Sequence, residues 1–187
     1  MIDGMKLVRG MVFAALPMVF AACAHNATMD TSAASAYAVV EDANGTRVGV
    51  AAFGEDAAGM VHVRMLVHGL APGLHGVHVH GVGSCVAPSF ASAGGHFNPG
   101  ARHHGLENPQ GPHAGDLPNM NVDAAGNADY RATTQRITLT PGAMSVFDTD
   151  GSALVIHAGP DDNMSDPAGN SGARVACGVI RSGVAPE

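Results

Sequence analysis

The apolar positions of this chain fall into short runs rather than long helical stripes. Val61, Val63, Met65 and Val67 alternate with His62, Arg64, Leu66 and His68, the period of a strand with one buried face and one mostly wet face. Similar runs, bounded by Gly, Pro, Asn and Asp, predict strands over 37–41, 47–53, 75–80, 129–138, 152–157 and 174–180, with another near 119–122. No long segment shows the helical period, so an antiparallel β-sandwich or barrel is expected. Two stretches, 81–118 and 158–173, carry no strand pattern, and excursions of that length are unusual in a compact domain unless they are functional or disordered.

The first 36 residues follow different rules. Lys6 and Arg9 precede the apolar run 11–22, which is too short to span a bilayer but matches the core of a secretory leader. Asp3 fits such a leader poorly, so translation is expected to start at Met5. Cys23 follows Phe20-Ala21-Ala22, a pattern like a bacterial lipoprotein box, and lipidation of Cys23 is expected over plain cleavage near Ala24. The expected division is a signal peptide over 1–22, a lipidated N-terminus and flexible tether over 23–36, and one domain over 37–187. A chain of 187 residues with 46% hydrophobic content can bury one core. With Lys6, Arg9 and Asp3 removed, seven arginines face fifteen carboxylates, a net charge of −8, which makes nucleic acid an unsuitable partner. The exported domain has no lysine, so any attraction for an anion must come from arginine or from bound metal.

The histidines change the picture from fold to chemistry. His78 and His80 are two apart on a predicted strand, so both rings project from one face and can reach one ion. His157 closes another strand and is expected at the same point. His96, His104, His113 and Asp116 lie instead in the Gly- and Pro-rich stretch, which can fold back around an ion. Three nitrogens and a carboxylate oxygen suit tetrahedral zinc, and an all-imidazole set with an open position suits copper. His25, His62, His68 and His103 lack partners at supporting spacings and read as ordinary surface or structural histidines. The scattered methionines, Met65 and Met120 among them, read as core filling.

The strings GLHGVHVH (73–80), SAGGHFNP (92–99), HHGLENPQGPHAGDLP (103–118), ALVIHAGPDD (153–162) and GNSGARVACGVI (169–180) resemble copper,zinc superoxide dismutase, in order, over about residues 37 to 182. The resemblance implies an all-β, eight-stranded antiparallel Greek-key β-barrel with two long functional loops. It implies one copper ion held by His78, His80, His96 and His157, and one zinc ion held by His96, His104, His113 and Asp116, with His96 shared. Its intervals favour His104 over His103. His75 matches a structural histidine of the family, and Arg174 matches an arginine that guides the anionic substrate, superoxide. Asp161 matches a carboxylate linking ligands of the two metals, a role Asp162 would take if the shortened loop shifts by one.

Cys85 and Cys177 are expected to pair in an oxidising compartment such as the bacterial periplasm, which leaves Cys23 for the lipid anchor on the membrane. A homodimer is possible. The rival readings are a non-enzymatic copper or zinc buffer or delivery module on the same barrel, and an anchored interaction domain with structural zinc.

Overall fold

The computed structural model describes Met1 and residues 35–185, so the leader, Cys23 and most of the tether lie outside the described residues. Nine strands follow in chain order: β1 Ser35–Asp42, β2 Arg47–Glu55, β3 Val61–Val67, β4 Gly73–His80, β5 Asp116–Val122, β6 Ala128–Thr134, β7 Ala153–His157, β8 Arg174–Val179 and the two-residue β9 Arg181–Ser182. Every ladder between them is antiparallel, and the order across the sheet is β5-β4-β7-β8-β1-β2-β3-β6, with β9 beside β1. The eight main strands form a nearly closed Greek-key barrel, because β3 and β6 each hand the chain across to the opposite half.

Closure follows from the two end strands being neighbours in sequence. β5 and β6 are joined by a tight turn in which the Asp123 carboxylate accepts the N–H groups of Ala125 and Asn127, both at 2.9 Å. The Tyr130 hydroxyl of β6 donates to the Pro118 carbonyl of β5 at 2.8 Å, joining the two ends through a side chain. Pro118 is tolerated because β5 has a ladder partner on one side only, and because the register with β4 slips between His75 and Val77.

The core lies where strand alternation directs it. On β3, Val61, Val63, Met65 and Val67 are buried while His62, Arg64 and Leu66 are exposed, as the pattern predicts. On β4 and β7 both faces are buried. Val77, Val79, Leu154 and Ile156 point into the barrel core, whereas Val155 joins Phe90, Ala93, Ala153 and Cys177 in a second cluster outside it. Beneath this covering, His78 and His80 are also buried.

That outer cluster is too small to order the 35-residue connection between β4 and β5 alone. Phe90 and Val155 contribute about 1.5–3 kcal/mol each on burial, while ordering a loop costs about 1–2 kcal/mol per residue. Cys85 and Cys177 are disulfide-bonded across 92 positions, with their Cα atoms 5.7 Å apart. Closing a loop of that length stabilises by about 4–5 kcal/mol in the chain-entropy model. Such a bond marks an exported protein.

Several boundaries differ from the pattern-based expectation. The strand expected over 129–138 ends at Thr134, and beyond it Ile137, Leu139 and Val146 turn inward, held where the buried Glu55 carboxylate accepts the Leu139 and Thr140 N–H groups at 2.7 and 3.0 Å. β5 begins at Asp116, so the last three residues of the expected 81–118 loop are strand. β1 begins at Ser35, so the last two positions assigned to the tether pair with Gly54 and Phe53 of β2.

Candidate metal centre

Three rings stand on the barrel wall. His78 and His80 project from the same outer face of β4, and His157 from the end of β7, whose register sets Val155 against His78. Each ring is held by one nitrogen and left open at the other. His80 Nδ1–H donates to the Gly94 carbonyl at 2.9 Å, His157 Nδ1–H to the Gly172 carbonyl at 3.1 Å, and His78 Nε2–H to Asp161 Oδ2 at 2.6 Å. Those contacts fix the tautomers, so His78 Nδ1, His80 Nε2 and His157 Nε2 carry lone pairs.

His96 arrives from the loop by backbone pairing rather than by chance. It forms an isolated antiparallel bridge with His80, flanked by Phe97 N–H donating to the Val79 carbonyl and Gly81 N–H to the Gly95 carbonyl, at 2.8 and 2.9 Å. Gly115 lets the loop return against the same strand, since a Cβ there would sit 2.1 Å from the Val79 carbonyl oxygen.

The result is a convergence of bare nitrogens. One ligand atom from each of His78, His80, His96 and His157 falls within 4.8 Å of all the others. His78 Nδ1, His80 Nε2, His96 Nε2 and His157 Nε2 are buried and have no hydrogen-bond partner. Buried polar atoms are almost always satisfied, so four unsatisfied ring nitrogens together are the mark of a cation site.

The other nitrogen of His96 belongs to a second cluster. Its Nδ1 lies 2.8 Å from Asp116 Oδ1, with His104 Nδ1 3.1 Å from the same oxygen. One ligand atom from each of His78, His96, His104 and Asp116 lies within 4.8 Å of the others. His113 Nδ1 enters the same space, 3.3 Å from His96 Nδ1 and 3.4 Å from Asp116 Oδ1. Of these two histidines, His78 already donates through Nε2 to Asp161, so its nearness to the second cluster is sideways, whereas His113 presents a nitrogen to it. Asp116 Oδ2 accepts the N–H groups of Gly105 and His113, both at 2.9 Å, which leaves Oδ1 for the centre. The donor set of three imidazoles and a carboxylate fits zinc, and the four neutral imidazoles fit copper.

Electrostatics separate the two clusters. Burial pushes the rings of His80, His78 and His157 down to about 2, 3 and 4, so all three are neutral at ordinary pH. Burial also lowers His96. Burial opposes the charge on His104 as well, but hydrogen bonds to Asp116 and Asp161 outweigh it and hold that ring up at about 9. Asp116 and Asp161 are held well below the usual carboxylate range, burial being outweighed by hydrogen bonds from His104 and its neighbours.

The model of the copper/zinc superoxide dismutase family matches residues 47–180. The chain belongs to this family. It is 46% identical over 148 residues to Cu-Zn superoxide dismutase 2 of Aquifex aeolicus (strain VF5), covering 78% of this chain and 86% of that relative. Among solved structures, Cu/Zn superoxide dismutase from Brucella abortus matches with a TM-score of 0.64 at 31% identity, over 79% of this chain and 99% of that one. A superoxide dismutase-like protein from Bacillus subtilis matches with a TM-score of 0.73 at 40% identity, over 76% and 95%.

Around the two clusters of this family member stand residues of several kinds. Asp161 joins them, its Oδ2 accepting from His78 and its Oδ1 from His104 at 2.9 Å. Asp162 faces its own loop instead, accepting the N–H groups of Met164 and Ser165. Arg174 opens β8 opposite His157, and its guanidinium donates to the Phe90 and Gly94 carbonyls at 2.6 and 2.5 Å. His75 spans the carbonyls of His157 and Ala71 and takes no part in either cluster. His62 is exposed against Asp56, and His103 is exposed with Asp166 3.4 Å away.

Two positions escaped sequence reasoning. Asn119 clamps the Asp161 backbone in both directions at 2.8 Å, across 42 positions. Gly169 has φ +61°, and a Cβ there would lie 1.8 Å from Asp161 Oδ1. Gly169 belongs to the quoted string 169–180, but nothing in the sequence ties its missing side chain to Asp161.

Proposed function

We propose that this protein is a superoxide dismutase, with copper at His78, His80, His96 and His157 and zinc at His96, His104, His113 and Asp116. The observation that carries the reading is the set of four buried ring nitrogens without partners, one of them on a ring whose other nitrogen faces Asp116. Copper, when bound, supplies one-electron exchange with superoxide, and zinc supplies a fixed positive charge.

The chain's own residues do the rest. Arg174 holds a permanent cation beside His80 and His157, where its planar fork can orient a small anion. His96 has no partner outside the two clusters to fix its tautomer, so its Nε2 is the atom free to take up a proton and hand it to the forming peroxide. Asp161 keeps the Nδ1 atoms of His78 and His104 aimed inward by accepting from the opposite side of each ring.

The test is superoxide decay catalysed by the purified protein, with copper and zinc measured in the same sample. A dismutase accelerates the decay in proportion to copper content. A buffer or delivery protein, the reading that the superoxide dismutase-like Bacillus neighbour keeps alive, binds both ions without accelerating it. Arg174→Ile cuts turnover and flattens its salt dependence with both metals retained; an unchanged rate and salt slope would remove Arg174 from the proposal. Lipidation of Cys23 belongs to the same reading, and the mass of the mature N-terminus tests it.

A further inference from the structure

A cleft of about 260 Å³ opens between the 98–114 part of the long loop and the segment that follows β6. Its walls include Asn98, Arg102, Pro112, Ala114, Arg136 and Met144, and no Asp or Glu lines it. It uses none of the clustered histidines.

Two guanidinium groups line this cleft, and the charge acting on Arg136 is the Asp116 carboxylate, which lies beyond salt-bridge distance. Arg136 Nη2 donates to the Asp116 carbonyl at 2.6 Å, while its Nε is buried with no partner. Arg102 Nη2 donates to the Gly111 carbonyl at 2.9 Å. Among the described residues neither guanidinium has a carboxylate within salt-bridge distance, whereas Arg64 and Arg131 both lie on Asp129. Asn98 is committed to the Arg102 backbone, accepting its N–H and donating to its carbonyl, so it fixes Arg102 at the cleft. A half-buried guanidinium with an unpartnered N–H is stabilised by an anion placed against it. In a chain of formal charge −7, that local arrangement runs against the overall field.

Pro112, Ala114 and Met144 complete the description of the guest. They offer carbon surface, which a bare inorganic oxyanion would leave unused, and the volume lies below the usual range for drug-sized ligands. We infer that this cleft binds a small organic carboxylate, its oxygens meeting Arg102 and Arg136 and a short carbon chain lying against Pro112, Ala114 and Met144.

The metal-loaded protein, titrated with acetate, butyrate, hexanoate and inorganic phosphate at constant ionic strength and followed by nitrogen-15 NMR, tests this. Saturable shifts are expected at the Arg136 Nε–H and at the Gly111 and Ala114 amides. Affinity should rise by up to about fourfold per added methylene, with phosphate weaker than butyrate. Arg102→Gln should weaken hexanoate binding about tenfold or more, and Met144→Ala should flatten the dependence on chain length while leaving acetate unchanged. The inference is overturned if shifts grow linearly without saturating, if chloride reproduces them, if phosphate binds as tightly as hexanoate, or if Arg102→Gln binds like the parent. Arg136→Lys is a further variant, and Arg102→Gln stands independently of whether that one folds.

Discussion

The two halves of the metal centre are built on opposite principles. His78, His80 and His157 stand on strands whose ladders fix them, and each of these rings is neutral and anchored by a single acceptor. His96, His104, His113 and Asp116 come from the long loop and the first residue of β5, and they bring charge with them: a carboxylate held ionised and a His104 ring held protonated near neutral pH. Rigidity is inherited from the sheet in the first half. In the second it is assembled from long-range ties, namely the Cys85–Cys177 bond, the His104 N–H donated to Asp166 at 2.6 Å, and Arg136 on the Asp116 carbonyl. A site on strands needs little support, whereas a site on loops needs a network.

The most severe break in that contrast comes from the strand side. His80→Ala should abolish dismutation, a loss of at least about 100-fold, while zinc content is kept because the loop cluster does not use His80; superoxide decay and elemental analysis read both. Cys85→Ser should do the reverse. It lowers unfolding free energy by about 4–5 kcal/mol in denaturant titration, and hydrogen exchange should rise over 81–100 before it rises over β4 or β7. Asp161→Asn touches both halves at once, and competition with chelators should show metal affinity falling about 10–100-fold for each ion.

The effect that separates the halves by sign is the response of the metal-free protein to pH. Folded His78, His80 and His157 titrate below the ordinary 6.5, so below pH 6.5 the unfolded chain binds more protons and stability falls, down to about 4 for His157 and lower for the other two. His104 acts oppositely. Its stabilisation is complete below 6.5 and is lost as pH rises through about 9. The depressed Asp116 and Asp161 add to the acid loss only below about 3.8. Denaturant midpoints measured from pH 4 to 10 should therefore show a maximum near neutrality, limited on the acid side by the strand rings and on the alkaline side by His104. A midpoint rising steadily toward acid would contradict the burial of the three strand rings.

What could be read before the structure divides along the same line. Alternation on β3 and the two-residue spacing of His78 and His80 are local properties of one strand, so periodicity revealed them directly. The loop half carried no such period. Its candidate ligands were recognisable by type and by intervals resembling the family's, but the devices that aim them were not: Gly169 acts through a missing Cβ, and Asn119 through a contact 42 positions away. The same limit explains β5. Asp116, Leu117 and Pro118 have no strand pattern of their own, and only pairing with β4 through an irregular register makes them strand.

The Gly94 carbonyl accepts from both His80 Nδ1 and Arg174 Nη2. A single oxygen therefore yokes the guanidinium of β8 to the imidazole of β4. Any motion that withdraws it frees the His80 ring to rotate and leaves Arg174 held by the Phe90 carbonyl alone. If Arg174 and His80 act as proposed, anion guidance and metal retention would weaken together, so efforts to recharge this region should begin beyond this hinge point and leave the oxygen where it stands.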